Sequence, residues 1–196
     1  CVFNVWADAF TFLNGGVAGQ SKWDGIAAVN NKLCWAPRNS RDVLVIYARS
    51  KVVTLVKCRF EGNFKWAGIA AVNDTLYCAP YHASSVLTID AKTNTVGTLD
   101  CGHEGAIKWS GIVAVGDTLY CAPHHASSVL IIAAKTKTAT TVKCGTMGIH
   151  KWFGIAAVGG SLYCAPYNAN SVLTFDGLLK FHDKLKAFEE RAKVAN

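Results

Sequence analysis

Apolar and polar positions alternate along residues 65–107 with a period of two. GIAAVN (68–73), TLYCAP (75–80), SVLTID (85–90) and TVGTLD (95–100) each read as a short strand. Turn-forming residues separate them: Asn73-Asp74, then Tyr81-His82-Ala83-Ser84, then Lys92-Thr93-Asn94. Four strands joined by short turns predict one antiparallel sheet.

The same pattern starts at Lys22, Lys65, Lys108 and Lys151, 43 residues apart each time. A constant period means a repeated structural unit, and four strands per unit predict a β-propeller blade. The fourth copy lacks its last strand. After SVLTFD (171–176) the pattern changes to apolar positions at Leu178, Phe181, Leu185, Phe188 and Ala192, the stripe of an amphipathic helix over 177–196. Counting back from Lys22 puts Phe10–Leu13 where Val96–Leu99 stands before Lys108. Residues 2–13 are therefore expected to supply the missing outer strand. The resulting expectation is all-β: a four-bladed β-propeller over 1–176, closed by the N-terminal strand, plus a C-terminal α-helix.

The run GIAAVNDTLYCAPYHASSVLTIDAKTNTVGTL resembles β-propeller repeats of the YVTN and NHL type. KWxGIAAVxxxLYCAPxxAxSVLxID is more similar still to tandem repeats of algal and protist proteins. The resemblance spans residues 22–176. It implies the propeller fold and little about chemistry, because propellers host unrelated activities.

Six of the eight cysteines are in register, Cys58, Cys101 and Cys144 after the fourth strand and Cys78, Cys121 and Cys164 in the second. Pairing 58–78, 101–121 and 144–164 leaves no orphan, whereas pairing 78–101 and 121–144 leaves Cys58 and Cys164 over. The first scheme is supported by Gly15 and Trp35, which stand where both halves of a fourth cross-link would be. Cys1 and Cys34 are out of register and would pair with each other. Disulfides would point to an oxidising compartment, an organelle lumen or the exterior. Packing of free thiols is the other reading.

The composition is 51% hydrophobic and 17% charged, which describes a folded chain. No apolar run is long enough to span a membrane. No leader peptide is legible, and a chain beginning at Cys1 reads as a processed product. The net charge of +7 admits an acidic partner or a peripheral place on a membrane. It lies largely in the C-terminal stretch and in one lysine per repeat, a distribution that does not call for nucleic acid.

Alternating strand directions put the loop before each blade and the loop between its second and third strands at the same end. The first carries Lys22, Lys65, Lys108 and Lys151, each followed by tryptophan. The second carries Arg38-Asn39, Tyr81-His82, His124-His125 and Tyr167-Asn168. The copies differ most in this second loop, so contacts are expected there. The tryptophans, kept in every copy, read as structural wedges. The pair His124-His125 has no counterpart in the other blades, and with no C-x-x-C or H-x₃-H spacing no metal is expected. No cofactor motif or nucleophile signature occurs, and strand-end acids such as Asp90, Asp100 and Asp176 read as turn caps. The functional expectation is a non-catalytic scaffold or accessory subunit in a larger assembly. It would bind protein subunits through the loop face and through Leu178, Phe181, Leu185 and Phe188. The repeat resemblance suggests an organellar setting, such as a photosynthetic or respiratory complex. The alternative is a small-ligand or glycan-binding module using the lysine, aromatic and histidine face.

Overall fold

The computed structural model describes residues 11–176 and Leu178. They form fifteen strands in four antiparallel sheets, with strands in chain order within each sheet. The first sheet is β1 (Trp23–Val29), β2 (Lys32–Pro37), β3 (Asp42–Tyr47) and β4 (Val52–Lys57). The second is β5 (Trp66–Val72), β6 (Thr75–Pro80), β7 (Ser85–Asp90) and β8 (Val96–Asp100). The third is β9 (Trp109–Val115), β10 (Thr118–Pro123), β11 (Ser128–Ala133) and β12 (Thr138–Lys143). The fourth has only β13 (Trp152–Val158), β14 (Ser161–Pro166) and β15 (Leu173–Asp176). The first two strands of each sheet meet in a two-residue hairpin. Asn30-Asn31 supplies the left-handed backbone this turn needs at φ 48° and 58°, and Gly159-Gly160 does so at 59° and 80°.

The sheets stack face to face. The first and second close over Cys34, Val43, Val45, Trp66, Leu76 and Leu87. The second and third close over Tyr77, Val86, Trp109, Leu119 and Leu130. The third and fourth close over Tyr120, Val129, Ile131 and Leu162. Innermost strands touch in sequence, β1 to β5, β5 to β9 and β9 to β13, and no comparable contact joins β13 back to β1.

The structure corrects the expected closure. The fourth sheet is three-stranded, and residues 11–13, the described part of the expected closing strand, are not in a strand. Phe12 is 98% exposed. The described sheets form an arc and not a closed four-bladed ring, because β13 has no further sheet stacked on it among the described residues. The expected C-terminal helix is likewise not among the described elements, and Phe181, Leu185 and Phe188 lie outside the described residues. Leu178 is buried against the core between the third and fourth sheets, with its N–H donating to Gly160 O at 3.1 Å. No described helix is long and apolar enough to cross a membrane.

The disulfide expectation is also corrected. All seven described cysteines are free thiols, and Cys1 lies outside the described residues. The thiols of Cys58, Cys101 and Cys144 donate to the carbonyls of Arg41, Ser84 and Ser127 at 2.6, 3.0 and 3.1 Å. Their register therefore comes from a repeated thiol-to-backbone bond. A Cβ at Gly15 would meet the Trp23 ring at 3.5 Å, an ordinary van der Waals contact, so the small residue there is not evidence of a missing cross-link partner. The cysteine count then carries no argument about compartment. Burial pushes the Cys34 thiol up to about 11 and Cys164 to about 12, and holds Cys78 and Cys121 well above the ordinary range. Iodoacetamide at pH 8 should accordingly label half-buried Cys144 in the native protein and spare those four, with all eight cysteines labelled after denaturation. Peptide mass spectrometry reads the pattern. Equal native labelling of Cys121 and Cys144 would contradict it.

Candidate functional site

The loop end is held by one backbone chain that crosses every blade. Arg38 N–H donates to Lys22 O, Lys65 N–H to Arg38 O, Tyr81 N–H to Lys65 O and Lys108 N–H to Tyr81 O. The series continues through His124, Lys151 and Tyr167 at 2.8–2.9 Å. The residue before each Lys takes a left-handed backbone, Ser21, Phe64, Ile107 and His150 at φ 45–57°.

The Lys-Trp pair that opens each blade is used by this scaffold. Lys65 is buried and its Nζ donates to Ser40 O and Gly62 O at 2.9 Å and to Arg38 O at 3.2 Å. Lys108 Nζ donates to Ala83 O and Gly105 O at 2.7 and 2.6 Å. Lys151 Nζ reaches the carbonyls of His124, His125, Ala126 and Gly148 at 3.0–3.3 Å. Lys22, half-buried, donates to Val17 O at 2.6 Å. Burial pulls the ammonium pKa of Lys65, Lys108 and Lys151 down, and the carbonyl cages replace their lost hydration. These ammonium groups clip the loops of the preceding blade and do not present a cationic surface. In each of these Lys-Trp pairs the tryptophan Nε1–H donates 2.8 Å to a carbonyl of its own blade at or just before the start of the third strand, at Asp42, Ser85, Ser128 and Ser171.

The residues that vary between blades converge. Arg38 ion-pairs with Asp24 and lies over the Phe64 and Tyr81 rings at 4.9 and 5.3 Å. Tyr81 stacks on exposed His82 at 5.4 Å and meets His124 at 5.6 Å. His124 is buried, and its ring lies 5.7 Å from exposed Tyr167 and 5.8 Å from Phe153. Asn168 is exposed, with its N–H donating to His150 O at 2.9 Å. Shallow grooves recur between blades outside the row, one lined by His103, Lys108, Trp109, His125 and Thr141.

Three histidines meet at the junction of the third and fourth blades. His124 Nδ1 lies 2.8 Å from Trp152 O, so that nitrogen carries the proton and donates it to the carbonyl. His124 Nε2 lies 2.9 Å from His150 Nδ1, and the His125 and His150 rings are 4.4 Å apart. His125 Nε2 is buried without a hydrogen-bond partner. Burial pushes the His124 and His125 pKa down, with further lowering from neighbouring His150 and Lys151, so both rings are neutral at pH 7. Burial also lowers His82, aided by Lys108 and Arg38.

His150 escapes a reading of the sequence, though the repeat carries a signal for it. The residue before each Lys is Phe64 in the second blade. Phe64 lies against Arg38, and its N–H donates to Asn39 Oδ1 at 2.8 Å. The same offset brings His150 onto His124 and His125.

No protein-family model matches the chain, and no curated protein matches it. Solved structures share its fold at low identity. The chain is similar to virginiamycin B lyase from Staphylococcus aureus, with 14% identity and TM-score 0.64 over 78% of this chain and 55% of that one. A streptogramin B lyase structure gives 14% identity and TM-score 0.66 over 82% and 57%. The WD40 repeats of RRP9 give 18% identity and TM-score 0.60 over 78% and 45%. The chain thus spans about half the length of each. The names range from lyases to WD40 repeats, so the likeness extends to a propeller-type repeat fold and not to a chemistry.

Proposed function

We propose that the chain is a non-catalytic assembly module, an arc of blades that completes its ring against a second copy of itself. The carrying observation is the pair of sheet faces left without a neighbour among the described residues. On the face of a blade that meets the next blade, the second, third and fourth copies of the repeat place Val, Tyr, Ala and Val, and the first copy has Cys34 at the tyrosine position. In the second blade these are Val72, Tyr77, Ala79 and Val86, and the first, second and fourth are 5%, 4% and 0% exposed. In the fourth blade the same positions are Val158, Tyr163, Ala165 and Val172, and the first, second and fourth are 67%, 40% and 52% exposed. At the other end of the arc, Trp23, Ile26, Ala28 and Leu33 repeat Trp66, Ile69, Ala71 and Leu76, which in the second blade are packed against the first.

The open face of the fourth blade therefore carries the residues that grip a following blade. The open face of the first carries the residues a following blade presents. Burying each such side chain is worth roughly 1.5–3 kcal/mol. Two copies joined head to tail through two equivalent contacts form a closed ring with no free face when the rotation between blades closes the circle. The organellar setting that the repeat resemblance implies rests on that resemblance alone.

Light scattering on the purified chain, over a concentration series into the micromolar range, should give twice the chain mass. Ile26→Glu and Val158→Glu, one on each open face, should each yield monomer. A monomer throughout the series overturns the proposal, and so does a dimer that both variants leave intact.

A further inference from the structure

We propose that His124, His125 and His150 form a binding site for a divalent transition-metal ion, of which Zn²⁺ is the reference case. Each offers one ring nitrogen, and the three ligand atoms lie within 4.8 Å of one another. Zinc–imidazole bonds of about 2.0–2.1 Å in a tetrahedral shell put ligand nitrogens about 3.3 Å apart. The cluster has to draw in from a spread of up to 4.8 Å toward that spacing when an ion binds. The His124–His150 pair, at 2.9 Å, is already inside it.

Two features point to an ion over a plain cluster of rings. His124 Nδ1 is anchored on the Trp152 carbonyl, which fixes the tautomer and turns the Nε2 lone pair toward the other two rings. Ligating histidines are held in this way by a bond from the second ring nitrogen. His125 Nε2 is buried with no hydrogen-bond partner, and buried polar atoms in native folds are rarely left so. Imidazole suits zinc, copper, iron and nickel and not magnesium or calcium. When the ion enters, the proton between His150 Nδ1 and His124 Nε2 moves to His150 Nε2. The ring stays neutral, and both lone pairs become available.

The surroundings define the kind of site. Lys151 Nζ sits on the His124, His125 and Ala126 carbonyls, and Arg38 faces His124 across the Tyr81 ring. Among the described residues no carboxylate belongs to the cluster. Three neutral ligands beside two cations hold the metal less tightly than a site with anionic ligands. The fourth position then suits a water or a small anion. The exposed rings of Phe153 and Tyr167 flank His124.

The test uses Zn²⁺ calorimetry and Co²⁺ absorption on the full chain in a non-chelating buffer. The expected result is one ion per chain, with visible Co²⁺ bands of low-coordinate intensity. His125→Ala and His150→Asn should each weaken binding at least tenfold. Asparagine is chosen at 150 because it tolerates the left-handed backbone there. His82→Ala, outside the cluster, should leave binding unchanged, as should Cys144→Ser, which removes the most accessible described thiol. Absence of saturable binding overturns the proposal. So does binding that survives both cluster variants, or that is lost with Cys144→Ser.

Discussion

Replacing Trp109 with alanine should lower the unfolding free energy by roughly 3–5 kcal/mol, the range for deleting a fully buried large aromatic side chain. Trp109 is fully buried between the second and third blades, packs edge-on to His103 at 5.5 Å, and donates its Nε1–H to Ser128 O. Alanine leaves a cavity with blades on both sides and an unpaired carbonyl in the core. Trp109→Phe should cost less, with about 1–3 kcal/mol arising from the stranded Ser128 carbonyl. Trp23→Ala is the internal comparison. The same residue at the same repeat position is only half-buried there, because no blade precedes it among the described residues. Denaturant unfolding should therefore rank Trp109→Ala as most damaging, Trp109→Phe next and Trp23→Ala least. Equal losses at 23 and 109 would mean that the first blade is covered as fully as the third.

Gly68→Ala should be comparably severe, for the opposite physical reason. A Cβ there would lie 2.6 Å from Ser110 O, 3.2 Å from Ile112 N and 3.3 Å from Gly111 Cα. These are backbone atoms of the next blade and cannot rotate away. The residue also sits at φ +52°, where an L side chain adds strain. Gly116 separates the two contributions: its φ is +56°, yet an added Cβ would meet nothing within 4 Å. Gly116→Ala should cost about 1–2 kcal/mol, the penalty for left-handed backbone alone. Gly68→Ala should add about 1–3 kcal/mol of overpacking to that. Comparing thermal midpoints of the two variants measures what it costs to force adjacent innermost strands apart. If both variants melt together, the close approach of β5 and β9 is not what keeps residue 68 glycine.

The blade itself was legible because its information is local. Strand alternation and turn residues placed all four strands of residues 65–107, and the constant spacing announced their repetition. The structural reading of tryptophan was also accessible from its recurrence in every copy. The lysines were harder. Their charge suggested an outward-facing ligand surface, whereas Nζ turns back to loop carbonyls of the preceding blade, as in Lys65 on Ser40 O and Lys108 on Ala83 O. The cysteines misled in the same manner. Matching register was consistent with cross-links, and it also fits thiols bonded to the backbone carbonyl 17 residues earlier, as at Cys58, Cys101 and Cys144. His150 was hard to read because its only signal is its place before the repeat lysine, and in the other blades that place holds Ser21, Phe64 and Ile107, which share its backbone shape and none of its chemistry.

By itself, then, the sequence determined the unit: an antiparallel blade of 43 residues, its turns, its repeated wedge and the loops in which the copies diverge. Hydrogen bonds between neighbouring strands and turn conformations depend on short-range pattern, so they can be read from it. Only the tertiary structure decided how the units end. Whether an arc closes depends on the angle between stacked sheets and on whether β13 meets β1, and neither quantity is encoded in any single repeat. The same stacking sets one blade's loop against the next, and so it alone assembled His124, His125 and His150.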